Sequence, residues 1–400
     1  MAKVNKGMDV LIGNEVKQFL NGSQMTFTRP FDRGYLNNWA CEMEVWLYLL
    51  NSKHMNVKDP SECSLVMTEA PFSPEALQND TNEVVFEGLN FREYTRRPAA
   101  SFSAYEYGRN AGVSYGGAEI HYSRESSDSV PTAPRSCCTV VDSGFSFTHA
   151  FPVIDNMVQK ESVKRVNVGG KLLTNYLKEL VSYRQWNMMD ETNIMEDVKE
   201  KLSYITNDYY NELQSSLRGK KDRSFVAEDP FGRRLRQLYV LPDFHHILKG
   251  FVKPEGSAAD ANEQILSMET ERFSVPELLF RPSDVGINQA GMAEATWQAL
   301  QSLPHPQRAL AASTILLTGG NCNIPHLAGR FFSEVAPFIP EEMPVCVYRP
   351  QEPHLYALRG AHRFVSDGCA AGVIGECMVT REEYLESGHL RCNSAFDAMW

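Results

Sequence analysis

Two short glycine turns carry the residues of this chain best suited to chemistry. The first is Asp142-Ser143-Gly144, which interrupts two apolar runs at 138–141 and 145–153. That pattern predicts two strands joined by a tight turn. Gly144 supplies backbone angles that other residues resist. Consecutive N–H groups in such a turn face outward and form a concavity in which a phosphate can rest. Asp142 and His149 then share one mouth, where a metal-bound water could be held. An ordinary hairpin with an Asp-Ser-Gly turn accounts for the same residues. The second turn is Thr318-Gly319-Gly320-Asn321, after the segment 311–317. It reads as a strand-to-helix turn, a kind that lets a ligand approach the backbone closely. No H-E-x-x-H, G-x-S-x-G or phosphate-loop G-x-x-x-x-G-K-[ST] pattern is present. The histidines are scattered, and Cys322 has no base beside it in sequence, so packing is its simplest role.

The elements that must position these turns follow from periodicity. A helix is expected over 39–50, capped by Asn38, with Met43, Trp46, Leu47 and Leu50 inward. Residues 65–67 read as a strand buried on both faces. Helices are expected over 74–87, with Pro74 in the first turn, and over 98–107. Residues 108–136 are rich in Gly, Ser and Pro and read as a loop. Gly170 ends the next strand. A helix over 172–186 buries Leu173, Tyr176, Leu177, Leu180 and Val181, and the following helix buries Met195, Val198, Leu202 and Ile205. Lys199 and Glu200 fall toward the other side of that helix, where by themselves they are a solvated charge pair. The stretch from about 207 to 265 is locally basic, with Arg218, Lys220, Lys221, Arg223, Arg233, Arg234 and Arg236. Pro230 and Gly232 interrupt it, and it is expected to be flexible.

Bulk properties narrow the class. Four hundred residues suit one large bilobed unit. A net charge of −11 argues against a surface that grips nucleic acid throughout. The nine cysteines show no zinc-finger spacing and read as reduced core thiols. No apolar run approaches the roughly twenty residues of a membrane span, and the first residues carry no signal-peptide pattern.

Asp142-Ser143-Gly144-x-x-x-Thr148-His149-x-x-Pro152 resembles the second phosphate hairpin of the actin family. Further segments follow in that family's order: Arg165 to Leu177, Val198 to Tyr204, Tyr239 to Asp243, Glu271 to Glu277, Phe280 to Ser283, and Leu317-Thr318-Gly319-Gly320-Asn321 with Pro325. The wording of Gly34 to Trp39, Ser182 to Gln185, Met189 to Thr192 and Val379 to Tyr384 is similar to one branch, the nuclear actin-related subunits of SWR/SRCAP-type chromatin remodellers. The resemblance spans about 9–388. It implies an α/β actin-like fold, two lobes around a central cleft. The small lobe comprises 1–107 plus 357–400, residues 108–136 form an inter-lobe loop, and the large lobe comprises 137–356. The small lobe would be truncated at its N-terminus, which would leave the strand near 64–68 at a sheet edge.

The family binds Mg-ATP in the cleft. The resemblance places Asp142, Ser143, Gly144, Gly170, Lys199, Glu200, Gly319, Gly320 and Asn321 around ATP or ADP, with Lys199 and Glu200 beside the purine and ribose. Several departures imply that any binding is weak or absent, that magnesium retention is doubtful, and that no residue is catalytic. The first phosphate hairpin has no counterpart. Phe145-Ser146 stands where the family has Asp-Gly. Ala99 occupies the place of the glutamine that orients water. Leu355-Tyr356 replaces a lysine on the adenine side. The implied function is a non-catalytic scaffold in a complex that exchanges histone H2A for H2A.Z. The implied partners are other remodelling subunits, and nucleosomal DNA or histones through the complex, with no membrane. The implied location is nuclear, with the cytoplasm also open. The alternatives are an actin-like ATPase and a filament-forming actin.

Overall fold

In the computed structural model, the described residues are 2–4, 10–13, 15, 25–109, 120–124, 134, 136–222, 225–257 and 262–398. The predicted hairpin forms the centre of the largest sheet. Its first strand, β4 (Cys138–Ser143), pairs antiparallel with β5 (Thr148–Ile154), in register from Cys138↔Val153 to Ser143↔Thr148. Gly144 N–H closes the turn onto the Phe147 carbonyl at 2.9 Å. The other neighbour of β4 is β11 (Ile315–Thr318), which runs parallel to it with Thr318 opposite Asp142. Both glycine turns therefore leave the same end of adjacent parallel strands, the place where open α/β sheets build crevices. Parallel β12 (Cys346–Arg349) follows, then antiparallel β3 (Ile120–Ser123). On the far side, β6 (Met157–Val158) and β7 (Lys164–Val166) both pair with β5.

The sheet is buried on both faces, as its continuous apolar strands require. On one face Val141, Ala150, Ile315 and Leu317 pack against α3 (Gly170–Arg184), α4 (Thr192–Leu202) and α6 (Met292–Gln301). On the other, Val140, Phe151, Val153 and Leu316 meet Ala100 and Ala104 of α2 (Ala99–Arg109) and Tyr356, the first residue of α7 (Tyr356–Ala371). The stripe of α3 is the predicted one, although the helix ends at Arg184 and leaves Trp186 outside it.

A second core surrounds a three-stranded sheet. Its order is β13 (Val379–Thr380), β2 (Glu93–Pro98) and β1 (Ser64–Glu69), with β1 parallel to β2. Val85, Phe86, Tyr94, Val379, Tyr384 and Phe396 fill it. Asn38 caps α1 (Trp39–Leu50) by accepting the Cys41 N–H, as predicted. Thr380 and Glu383 form a reciprocal capping box on α8 (Arg381–Asp397). Among the described residues β1 is an edge strand. Leu65, Val66 and Met67 are only half-buried rather than covered on both faces. Leu47, expected inward, is exposed because α1 turns it away from this core.

Two expectations about loops are corrected. Within 108–136, residues 110–119, 125–133 and 135 lie outside the described ones, but Ile120–Ser123 is a strand of the main sheet. The basic stretch folds as well: α5 (Tyr209–Lys221), capped by Asp208, precedes a sheet of β9 (Phe251–Val252), β8 (Gln237–Val240) and β10 (Ile265–Met268). Arg223 lies outside the described residues. The cysteines are free thiols, but Cys369 is exposed rather than in the core.

Candidate cleft at the two glycine turns

The two turns interlock through one hydrogen-bond chain. Asn321 Nδ2 donates to Ser143 Oγ at 3.1 Å and to the Gly144 carbonyl at 2.8 Å. Ser143 Oγ lies 2.8 Å from Thr148 Oγ1, which donates to the Val168 carbonyl at 2.9 Å. Because Thr148 gives its proton to Val168, Ser143 must donate to Thr148 and accept from Asn321. Glycine is required where the turns touch. Gly319 has φ +91°, and a Cβ there would stand 2.3 Å from the Ser143 carbonyl oxygen. Gly169, before α3, backs onto Phe145–Phe147, where a Cβ would come within 2.6 Å of their backbone. Gly320, by contrast, has no neighbour within 4 Å of a Cβ among the described residues.

Lys199 reaches in from α4, donating to the Gly170 carbonyl at 3.2 Å and to Thr174 Oγ1 at 2.9 Å. Burial lowers its pKa, and the charge of Arg29 adds to that, while Glu196 and Glu200 oppose it. The structure thus brings Asp142, Ser143, Gly144, Gly170, Lys199, Gly319, Gly320 and Asn321 together at the two turns. Glu200, next to Lys199, is exposed on α4. Cys322 donates to the Thr318 carbonyl, and burial pushes its thiol far above the usual range, as packing requires. Among the described residues, no three His, Cys, Asp or Glu side chains group as metal ligands.

The sequence did not disclose what lies against the hairpin tip. Residues 28–36 form a strap across it. The Arg29 guanidinium sits 4.5 Å from the centre of the Phe145 ring and pairs with Glu196 of α4 at 3.1 Å. Gly34, at φ +78°, lies directly on the Phe147 ring. The Arg165 guanidinium covers that ring at 3.4 Å and donates to the Tyr35 hydroxyl at 3.0 Å. Asp32 faces Lys171 at 3.6 Å. The signal available was the pair Phe145 and Phe147, two aromatic rings at a turn otherwise built of small residues.

Asp142 and His149 are both held uncharged more readily than in water. Burial pushes the Asp142 carboxyl up to about 6 from 3.8. Burial first, and then the charge of Arg165, pushes His149 down to about 3 from 6.5, and its Nε2 has no partner among the described residues. A raised carboxyl loses stability as pH rises from 3.8 through 6, and a depressed imidazole loses it as pH falls from 6.5 toward 3. The two trends oppose each other between these values. Asp142→Asn should therefore raise stability by about 1–3 kcal/mol at pH 7.5. Its stability should fall on mild acidification where the parent chain stays level. Chemical denaturation across pH reads both, and equal pH profiles for the two proteins would contradict the assignment.

The family model described as Actin matches residues 1–396. The chain is 33% identical to the Actin-like protein arp6 of Aspergillus fumigatus, over 96% of this chain and 84% of that protein. It is 35% identical to Actin-related protein 6 of Arabidopsis thaliana, over 92% and 85% respectively. It is also 35% identical to Actin-related protein 6 of Oryza sativa, over 99% and 92%.

Proposed function

Since this chain belongs to the actin family and carries the actin fold, we propose that it is a non-catalytic actin-related subunit that scaffolds a nuclear chromatin-remodelling complex. The complex would exchange H2A for H2A.Z using ATP hydrolysed by a different subunit. The relatives named Actin-related protein 6 support the branch. The observation that carries the non-catalytic reading is Arg29, stacked on Phe145 and paired with Glu196 across the hairpin tip.

ATP or ADP fits this cleft only in part. Gly320 leaves open space beside the turn, which suits a purine and ribose, whereas Gly170 is closely backed by Asn321 and Lys199. The phosphate side presents a phenyl ring under a guanidinium already neutralised by a carboxylate. His149 is buried and neutral, and Ala99 has no group that could orient water. No hydrolytic step is therefore assigned to these residues. Any nucleotide would be held as a structural ligand, with magnesium poorly retained.

The test is assembly in cells. Tagged protein should copurify with remodelling subunits from nuclear extract, and its depletion should lower H2A.Z in chromatin. His149→Ala should restore H2A.Z as well as the parent chain does. Recovery only in cytoplasmic filaments, with H2A.Z unchanged by depletion, would contradict the proposal.

A further inference from the structure

The basic stretch around α5 folds so that its charges sort by side. Glu212 is buried and accepts from the Tyr204 hydroxyl. Asp229 is buried against Arg272 at 2.7 Å and also pairs with Arg233 at 3.0 Å. Arg218, Lys221, Arg233, Arg234 and Arg236 are exposed. Among the described residues of 209–238, only Asp222 and Glu228 are outward-facing acids. In a chain of net charge −11, this makes a local cationic surface.

Apolar groups share that surface. Tyr210, Gln214, Leu217 and Lys221 are all exposed, and their spacing of four, three and four residues puts them in one stripe along α5. Tyr210 is 66% exposed and Leu217 50%, on the face where a solvated helix should carry polar groups. The surface continues past the helix. Arg218 stacks on Phe225 at 4.3 Å, and Gly219 abuts Phe225 and Ala227. The hairpin that follows is closed by Glu228 opposite Arg234 and exposes Val226.

We propose that the outward face of α5 and the adjoining hairpin 225–235 dock an acidic segment of a partner protein, one that also carries apolar side chains. Charge complementarity selects the acids, and the Tyr210–Leu217 stripe selects against a purely ionic partner such as duplex DNA. The proposal deepens the scaffold reading and rests on it for the existence of a partner.

The experiment uses the full chain and three fluorescein-labelled probes: a peptide of repeated Glu-Asp-Leu-Phe units, its Glu-Asp-Ala-Ala counterpart, and random-sequence duplex DNA. The Leu-Phe peptide should bind best. Arg218→Glu with Lys221→Glu should weaken it about tenfold, as should Tyr210→Ser with Leu217→Ser. Arg233 is left intact because it supports Asp229. Lys53→Glu, an exposed reversal far along the chain, should change nothing, and each variant's thermal melt should match the parent's. Failure of the Leu-Phe peptide to bind a normally melting protein would overturn the proposal. So would equal binding of both peptides, or preferred binding of DNA with a salt slope of about 0.9 per phosphate contact. Copurification with nuclear subunits is scored separately, so loss of this surface is distinguishable from loss of the scaffold reading.

Discussion

Asp229→Ala is expected to destabilise the chain by about 3–5 kcal/mol, because it strands Arg272 as an unpaired buried cation. Both side chains of this pair are 0% exposed. Arg272 also donates to the carbonyls of Leu202 at 3.1 Å and Leu235 at 2.7 Å, tying α4 to the basic stretch. Asp229 accepts the N–H groups of Phe231 and Arg233, each at 3.0 Å. Burial opposes ionisation of Asp229. The hydrogen bonds from Arg272 and the Arg233 backbone, with the charges of both arginines, more than offset it and keep the carboxyl below its ordinary 3.8. A depressed carboxyl contributes stability above its unfolded pKa and loses it as pH falls through the folded one, so the pair is intact at neutral pH. Denaturant unfolding of the variant measures the loss, and limited proteolysis should show new cleavage within 225–236. A loss under about 1 kcal/mol would mean that the arginine finds other partners.

Gly319→Ala is expected to cost about 3 kcal/mol or more, since it combines an unfavourable backbone region with a clash. The added Cβ would meet the Ser143 carbonyl oxygen and, at 2.6 Å, Asp142 Oδ1. Relief would require β4 and β11 to part at the ends that carry the two turns. Gly320→Ala is the internal control. A Cβ there meets none of the described residues within 4 Å, so its effect on folding should stay within about 0.5 kcal/mol. Thermal denaturation of the two variants side by side gives the comparison. Equal losses would contradict the interlocked turns.

Both turns are legible in the sequence because their chemistry is local. Asp-Ser-Gly and Thr-Gly-Gly specify tight backbone within a few residues, and the β-branched runs beside them specify strands. The basic stretch reads as flexible because the contact that orders it is not local. Asp229 finds Arg272 forty-three positions away, and Pro230 and Gly232 belong to the turn that the pair stabilises. β3 is hidden in a Gly-, Ser- and Pro-rich background, since four residues become a strand only by pairing with β12. The strap over the hairpin has the same origin. Arg29 and Glu196 are 167 positions apart, and neither carries a pattern that names the other. Local turn chemistry thus discloses which residues could line a cleft, whereas the state of its mouth depends on partners distant in the chain.

Steady-state ATP turnover by the purified full chain with magnesium distinguishes the proposed scaffold from an ATPase. A scaffold should show no phosphate release above background, unchanged by His149→Ala. Turnover comparable to that of actin, abolished by His149→Ala, would contradict it.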